Sequence, residues 1–189
     1  MKTIVLFDID GTLINTGGAG MRSVARAFEK LYGVTGDLEL DQVAGRTDPA
    51  IFRNKYRQLL GGECVAGELH ALTTTYLEIL VDELDSAEYR ILPGVEELLA
   101  KLSEIPGVVL GLATGNLERG AFLKLRRGQI DQYFKFGGYG SDSESRDELT
   151  RLAVDRGRHQ IGDEAAKAVV IGDTRHDIES GKAAGARTL

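Results

Sequence analysis

The sequence of 189 residues predicts an α/β fold, a doubly wound parallel sheet into which an all-helical segment is inserted. Short runs of β-branched and aliphatic residues alternate with helical patterns, which is typical of parallel strands buried on both faces. A long stretch after the first apolar run contains helical patterns alone. Polar residues, several of them acidic, directly follow the apolar runs, where open α/β sheets bind their ligands.

Five apolar runs are predicted as strands because each has the length and composition of a buried strand. They cover residues 3–7, 108–113, 133–136, 168–171 and 187–189. Between them, apolar residues recur at spacings of three and four, as in 95–102 and 149–153, which predicts helices. The alternation indicates that each strand returns parallel to the one before it.

Residues 15–92 interrupt this alternation, since they contain helical patterns and no strand pattern. Two apolar stripes, at 21–32 and 69–80, have the spacing of buried helix faces. We therefore predict an α/β core domain made of residues 1–14 and 93–189, with residues 15–92 as a helical domain between its two parts.

Composition and charge exclude several classes of protein. The chain has 23 basic and 29 acidic residues, a net charge of −6, whereas nucleic-acid binders usually carry a basic face. The single Cys64 cannot form an internal disulfide, and the apolar run 4–7 is too short for a signal peptide or membrane helix. We expect a cytoplasmic protein, a monomer or weak homodimer, with a small-molecule ligand and neither a nucleic-acid nor a membrane partner.

The first predicted strand ends in Asp8-Ile9-Asp10-Gly11-Thr12-Leu13. Two carboxylates two residues apart leave the end of a strand side by side. A cap or turn role for Asp8 alone does not account for the second acid and the glycine that follow it. We interpret Asp8 and Asp10 as a functional acidic pair.

The second long strand ends in Ala113-Thr114-Gly115-Asn116. A hydroxyl, a glycine amide and a side-chain amide at the start of a helix are suited to holding a phosphate group. The same residues also fit an ordinary helix start, because Asn116 is a good N-cap residue. Both interpretations of Thr114, Gly115 and Asn116 stay open at this point.

A third acidic site follows the strand at 168–171, in Gly172-Asp173. Asp173 would lie at the carboxyl end of its strand, whereas Asp177 fits the capping pattern of the next helix. Acids at two strand ends indicate a hard divalent cation, and Mg²⁺ takes one or two carboxylates together with waters and substrate phosphate.

A cation is expected beside these acids, and two residues compete for the role. Ser145 and Glu148 fit a capping box, which places Arg146 in the first turn of a helix just beyond a strand end. There it would neutralise a nucleophile and a phosphate. Lys124, one helix earlier, is the competitor, and either could be a solvated surface charge; we favour Arg146.

These residue types together predict phosphoryl transfer to a carboxylate. One aspartate would attack phosphorus and form an aspartyl-phosphate. Its neighbour would protonate the leaving group and then deprotonate a water molecule. The metal and the cation would stabilise the charge on the transferred oxygens.

The motifs resemble those of the haloacid dehalogenase (HAD) superfamily, in its phosphoglycolate-phosphatase-like branch. Residues 8–13 match the first motif, Thr114 the second, and Gly172-Asp173 with Asp177 the fourth, so that a Rossmann-like core is implied. The segment 15–92 resembles the type-1 helical cap of this branch. The third motif usually has Lys followed by Pro, where this chain has Arg146-Asp147. The family also continues past its fifth strand, where this sequence stops.

The resemblance implies a role for each matching residue. Asp8 would be the nucleophile and a Mg²⁺ ligand, and Asp10 the acid/base that lends its backbone carbonyl to Mg²⁺. Thr114 would hold the phosphate, Asp173 would ligate Mg²⁺, and Asp177 would support the metal site or the cation. The implied function is a Mg²⁺-dependent phosphatase acting on a small phosphorylated metabolite, a phosphoglycolate-like phosphomonoester.

Alternatives to a phosphatase remain from the sequence. A dehalogenase uses the first aspartate but does not need an acid two residues later, so Asp10 argues against that activity. A phosphosugar mutase of the beta-phosphoglucomutase type would keep both acids, and a non-enzymatic regulatory relative would be expected to lose Asp8, Asp10 or Asp173. In the insert, Arg46 is the candidate for substrate binding, with an exposed loop arginine as the alternative.

Overall fold

The elements of the fold alternate as the sequence predicts, with the helical segment between the first two long strands. The computed structural model describes residues 2–36, 43–86 and 88–189. The strands are β1 (Thr3–Phe7), β2 (Ile14–Asn15), β3 (Arg90–Ile91), β4 (Val108–Ala113), β5 (Gly137–Gly138), β6 (Lys167–Ile171) and β7 (Arg187–Thr188). The helices are α1 (Ala19–Tyr32), α2 (Asp48–Leu60), α3 (Ala66–Ser86), α4 (Val95–Ser103), α5 (Glu118–Arg127), α6 (Arg146–Ile161) and α7 (Arg175–Ala183).

Five strands form a parallel sheet in the order β5-β4-β1-β6-β7. The central strand β1 pairs with β4 and β6 over its whole length, and Phe7 lies opposite Leu112 on one side and Ile171 on the other. Because these three strands run parallel with nearly matched ends, the residues that follow them meet at one edge of the sheet. The predicted parallel α/β architecture is confirmed.

Side chains of β1 alternate between two hydrophobic cores, one on each face of the sheet. Val5 and Phe7 pack with buried residues of α4 and α5, whereas Ile4 and Leu6 pack with residues of α6. Burial on both faces explains why the central strands are continuous apolar runs in the sequence. A third core belongs mainly to α1, α2 and α3, with members Phe28, Phe52, Leu72, Tyr76 and Leu80.

The structure differs from the sequence prediction at the third strand, expected at 133–136. A short 3-10 helix occupies Asp131–Tyr133, and the strand is Gly137–Gly138. A Cβ atom on Gly138 would lie 1.8 Å from the carbonyl oxygen of Leu149 in α6, so the close packing of α6 on β5 requires a glycine there. Hydrophobic patterning cannot detect a strand made of glycines.

The helical segment is joined to the core through a feature that the sequence pattern did not show. Ile14–Asn15 pairs antiparallel with Arg90–Ile91, and the amide of Leu92 donates to the carbonyl of Leu13 at 3.0 Å. The two connections therefore lie side by side as a short ribbon. None of the helices within 2–36, 43–86 and 88–189 combines the length and the hydropathy that a membrane span needs.

Candidate active site

The first acidic motif turns sharply at the end of β1. The amide of Asp8 donates to the carbonyl of Ile171 at 2.9 Å, which extends the pairing with β6 by one residue. Gly11 has a φ of +86°, in the region that favours glycine, and a Cβ there would lie 2.3 Å from Oδ2 of Asp173. The glycine thus lets the first motif approach the acid that follows β6.

Three carboxylates gather at this edge of the sheet. Asp8, Asp173 and Asp177 each offer an oxygen atom, and the three atoms lie within 4.8 Å of one another. Asp8 and Asp177 are buried, whereas Asp173 is exposed and accepts a hydrogen bond of 3.0 Å from the hydroxyl of Thr12. Oxygen atoms clustered at this spacing are suited to a hard divalent cation after a small adjustment.

Arg146 lies against this cluster from the first turn of α6. The hydroxyl of Ser145 caps that helix by accepting from the amide of Glu148, as the sequence predicts. One nitrogen of the Arg146 guanidinium is 3.7 Å from Oδ1 of Asp8, and another forms an ion pair with Oδ1 of Asp177. A cation whose side chain is only 9% exposed therefore contacts both buried acids of the cluster.

The environment of Asp8 disfavours its charged form. Burial raises the pKa of Asp8 to about 7, while Arg146 opposes this rise and the carboxylates of Asp177 and Asp10 add to it. A hydrogen bond with Thr114 also lowers the pKa. Since several negative groups face few positive ones, a divalent cation at the cluster would favour the ionised carboxylate.

Asp177 is held by the start of its own helix as well as by Arg146. Its Oδ2 accepts from the amide of Thr174 at 3.0 Å and from the hydroxyl of Thr174 at 2.6 Å. Both of its oxygen atoms therefore have protein partners. Asp177 is therefore held between Arg146 and the start of α7.

Lys124 occupies a different position, beside Asp10. Its ammonium group donates to Oδ2 of Asp10 and to the side-chain oxygen of Asn116, both at 2.6 Å. Burial lowers the pKa of Lys124, but the carboxylates of Asp10 and Asp48 outweigh it, and the pKa is raised. The sequence presents Lys124 and Arg146 as competitors for one role, whereas the structure pairs each with a different aspartate.

The segment after β4 links these groups. The amide of Thr114 donates to the carbonyl of Gly138 at 3.0 Å, and its hydroxyl accepts from the side-chain nitrogen of Asn116 at 2.9 Å. The same nitrogen donates to Asp10 at 2.8 Å. Asn116 is not the N-cap of α5, because that position is Leu117, so the helix-cap interpretation of Asn116 is wrong.

A cavity of about 320 Å³ lies between the strand ends and the helical segment. Its core side includes Asp8, Asp10, Thr114, Gly115, Asn116, Lys124, Arg146 and Asp173. Its helical side includes Met21, Val24, Arg46, Asp48, Ile51 and Tyr76. Arg46 is exposed on this side of the cavity and has no ion-pair partner among the described residues.

Asp48 is a cavity residue that the sequence analysis missed. Its Oδ2 accepts from the amide of Leu117 at 2.9 Å, and its own amide donates to the carbonyl of Gly115 at 2.8 Å. Burial raises the pKa of Asp48 to about 6, against the opposing effects of Lys124 and the Leu117 amide. In the sequence, Asp48 between Thr47 and Pro49 has the pattern of an ordinary helix start, so no local signal separates this contact from a cap.

Comparison with known proteins agrees with this geometry. Residues 5–189 match the family described as haloacid dehalogenase-like hydrolase. The probable phosphatase IndB of Dickeya dadantii is 26% identical over 98% of this chain and 79% of its own length. A phosphoglycolate phosphatase of Pseudomonas putida is 29% identical over 100% of this chain and 69% of its own length.

Solved structures show the same fold at lower sequence identity. The crystal structure of CbbY from Rhodobacter sphaeroides in complex with phosphate has a TM-score of 0.79 and 20% identity, and the match covers 100% of this chain and 85% of that one. This likeness shows the fold, and the family match over residues 5–189 confirms the predicted superfamily. The chain belongs to the haloacid dehalogenase-like hydrolase family.

Proposed function

We propose that the protein is a Mg²⁺-dependent phosphatase that hydrolyses a small phosphorylated metabolite through an aspartyl-phosphate intermediate. The observation that carries this proposal is the placement of two aspartates with separate cations, Arg146 at Asp8 and Lys124 at Asp10. One acid can then act as a nucleophile while the other handles protons. Relatives named as phosphatases support the same activity.

The nucleophile in this mechanism is Asp8. Its carboxylate oxygen attacks phosphorus, the bond to the leaving oxygen breaks, and Asp10 gives its proton to that oxygen. Asp10 then takes a proton from a water molecule, which attacks the aspartyl-phosphate and releases inorganic phosphate and Asp8. Arg146, 3.7 Å from Asp8, offsets negative charge on the transferred oxygens in both steps.

The acidic cluster fits the magnesium ion that the mechanism calls for. Asp8 and Asp173, with the backbone carbonyl of Asp10, would hold it, and Asp177 would act through Arg146. The raised pKa of Asp8 supports this assignment, because a buried carboxylate among other acids needs a positive partner to stay ionised. When bound, Mg²⁺ supplies positive charge that stabilises the phosphate oxygens.

The substrate that we propose is a phosphoglycolate-like phosphomonoester. A ligand must place its phosphate at Asp8 and Thr114, and the cavity then leaves room for a small organic group beneath α1 and α2. Arg46 lines that part of the cavity and can meet an anionic leaving group. The names of several relatives support the same substrate class.

We also propose that residues 15–92 act as a cap domain on a core of residues 1–14 and 93–189. The helical segment supplies one wall of the cavity, so movement of this segment would change how far water reaches the site. Gly17, Gly18 and Gly94, which have positive φ angles, lie at the two connections. Changes in backbone angles are least costly at such positions.

Replacement of Asp8 by Asn tests the covalent mechanism. An amide of nearly the same shape is a poor nucleophile, so Asp8→Asn should lose measurable hydrolysis of an aryl phosphate with saturating Mg²⁺ while keeping the wild-type urea midpoint. Asp82→Asn, an exposed acid of α3, is the matched control and should keep full activity. Wild-type turnover in Asp8→Asn would exclude a nucleophilic role, and transfer to a sugar phosphate without phosphate release would indicate a mutase.

Variants of the two cations separate their roles. Arg146→Lys should lower kcat for every ester to a similar degree, because the guanidinium acts on the transferred phosphate. Lys124→Met removes the group that contacts Asp10, which protonates the leaving oxygen in this mechanism. The substitution should lower kcat far more for alkyl phosphates than for p-nitrophenyl phosphate, because a good leaving group needs little protonation. Steady-state rates on both esters test this difference, and identical losses for Lys124→Met on the two esters would contradict it.

The affinity for Mg²⁺ should depend on pH. Since the pKa of Asp8 is raised to about 7 and the metal binds the ionised form, binding must displace a proton at lower pH. Calorimetry should find that the affinity for Mg²⁺ is about tenfold weaker one pH unit below this pKa than one pH unit above it. Asp173→Asn should bind weakly at both values, and a wild-type affinity that does not change with pH would contradict the prediction.

The cap proposal predicts that helices α1–α3 change their orientation relative to the sheet. Crystal structures with and without bound vanadate, an analogue of phosphate, measure the angle between the two units. We expect a more open arrangement without the ligand, because substrate has to enter the cavity. The same orientation in both structures, with the cavity sealed in each, would be evidence against a moving cap.

A further inference from the structure

The N-terminus of α5 lacks a cap from its own sequence. Its N-cap residue is Leu117, whose side chain has no oxygen to offer. In a capping box, the residue three positions later accepts a hydrogen bond from the N-cap amide, but here that residue is Gly120. The amide of Leu117 therefore needs an acceptor from elsewhere in the chain.

Asp48 is that acceptor, and it comes from the helical segment. Its buried carboxylate accepts from the amide of Leu117 at 2.9 Å, while its own amide donates to the carbonyl of Gly115 at 2.8 Å. Two hydrogen bonds of opposite direction thus join the start of α2 to residues 115–117 of the core. A Cβ on Gly115 would lie 2.2 Å from the carbonyl oxygen of Arg46, so this close contact depends on a glycine.

The backbone that Asp48 holds is also the one that carries the site. Asn116 lies between Gly115 and Leu117, and its side chain contacts Asp10, Thr114 and Lys124. A shift of the backbone at residues 115–117 would therefore move the amide that orients Asp10. Thr114, whose side chain forms a hydrogen bond with Asp8, directly precedes Gly115 in the sequence.

The contact places a charged group where an apolar one would be easier to bury. Burial raises the pKa of Asp48 to about 6, which shows the cost of its ionised form. The carboxylate accepts a hydrogen bond from the amide of Leu117 and is also stabilised by the charge of Lys124, whereas the bond to Gly115 comes from the backbone of Asp48.

We propose that Asp48 is a positioning residue: it caps α5 across the gap between the helical segment and the core, and thereby holds residues 114–116 in the geometry that binds phosphate and orients Asp10. This inference rests on the proposed phosphatase function. If Asp48 has this role, the site has its full set of contacts only while α2 is packed against the core. Packing of α2 and formation of the site then occur together.

Three substitutions of Asp48 test this role. Asp48→Asn keeps an oxygen that accepts from the Leu117 amide, whereas Asp48→Ala removes it and Asp48→Glu moves it by one methylene group. Hydrogen exchange of the Leu117 amide, without any ligand, should be slow in wild type and Asp48→Asn and faster in Asp48→Ala and Asp48→Glu. Asp82→Asn and Asp82→Ala, at an exposed position of α3, are the matched controls and should match wild type.

The loss of kcat/KM among the Asp48 variants should follow the same order as their Leu117 exchange rates. The loss of a helix cap predicts a fall in kcat/KM on the order of tenfold for Asp48→Ala and Asp48→Glu, with recovery in Asp48→Asn. KM should rise, and the affinity for inorganic phosphate should fall, because the phosphate-binding turn is released. Partial unfolding alone would lower kcat at constant KM.

The outcomes separate this proposal from the proposed function. Two results would overturn the role of this hydrogen bond. One is an exchange rate of the Leu117 amide in Asp48→Ala equal to that of wild type. The other is a loss of kcat/KM in Asp48→Asn as large as in Asp48→Ala. If Asp48→Ala does not fold, the comparison of Asp48→Glu with Asp48→Asn decides. Wild-type protein that binds inorganic phosphate but hydrolyses no phosphomonoester would refute the phosphatase activity, while the exchange and phosphate-binding data would still test Asp48.

Discussion

Parallel pairing of β1 with both β4 and β6 is the constraint on which the rest of the structure depends. The pairing places Phe7 opposite Leu112 and Ile171, so that three chain segments leave the sheet at one edge. Backbone hydrogen bonds fix this register, and apolar packing on both faces stabilises it, since a shift would expose the core side chains of β1. The acidic residues can meet only because the strands beneath them are held in this way.

Burial of carboxylates at that edge is the main energetic cost of the site, and repulsion between the acids adds to it. Asp8 and Asp177 are buried together, and Arg146 lies between them with its guanidinium in contact with both acids. Asp10 has a cation of its own, Lys124, at 2.6 Å. The two cations therefore offset the negative charge of different aspartates at this edge of the sheet.

The helical segment forms hydrogen bonds with the core in addition to covering the cavity. Its helices have their own hydrophobic core around Phe28, Phe52 and Tyr76, so the segment can hold its shape while it contacts the sheet. Asp48 carries that contact into the core by bonding the backbone on both sides of Asn116. The position of α2 and the backbone at residues 115–117 are therefore linked through hydrogen bonds as well as through apolar packing.

The sequence by itself determined the sheet, the helical segment and the acids at the strand ends, because these depend on local patterns. Apolar runs identify buried strands, and Asp8, Asp10 and Asp173 follow two of these runs directly. Tertiary structure decided which groups touch. Strand β5 consists of two glycines that pack closely against α6. Lys124 pairs with Asp10, whereas Arg146 pairs with Asp8. Asp48 accepts a hydrogen bond from the amide at the start of a helix 69 residues away. Those features arise from close approach between distant segments, and a pattern of neighbouring residues contains no record of such distances.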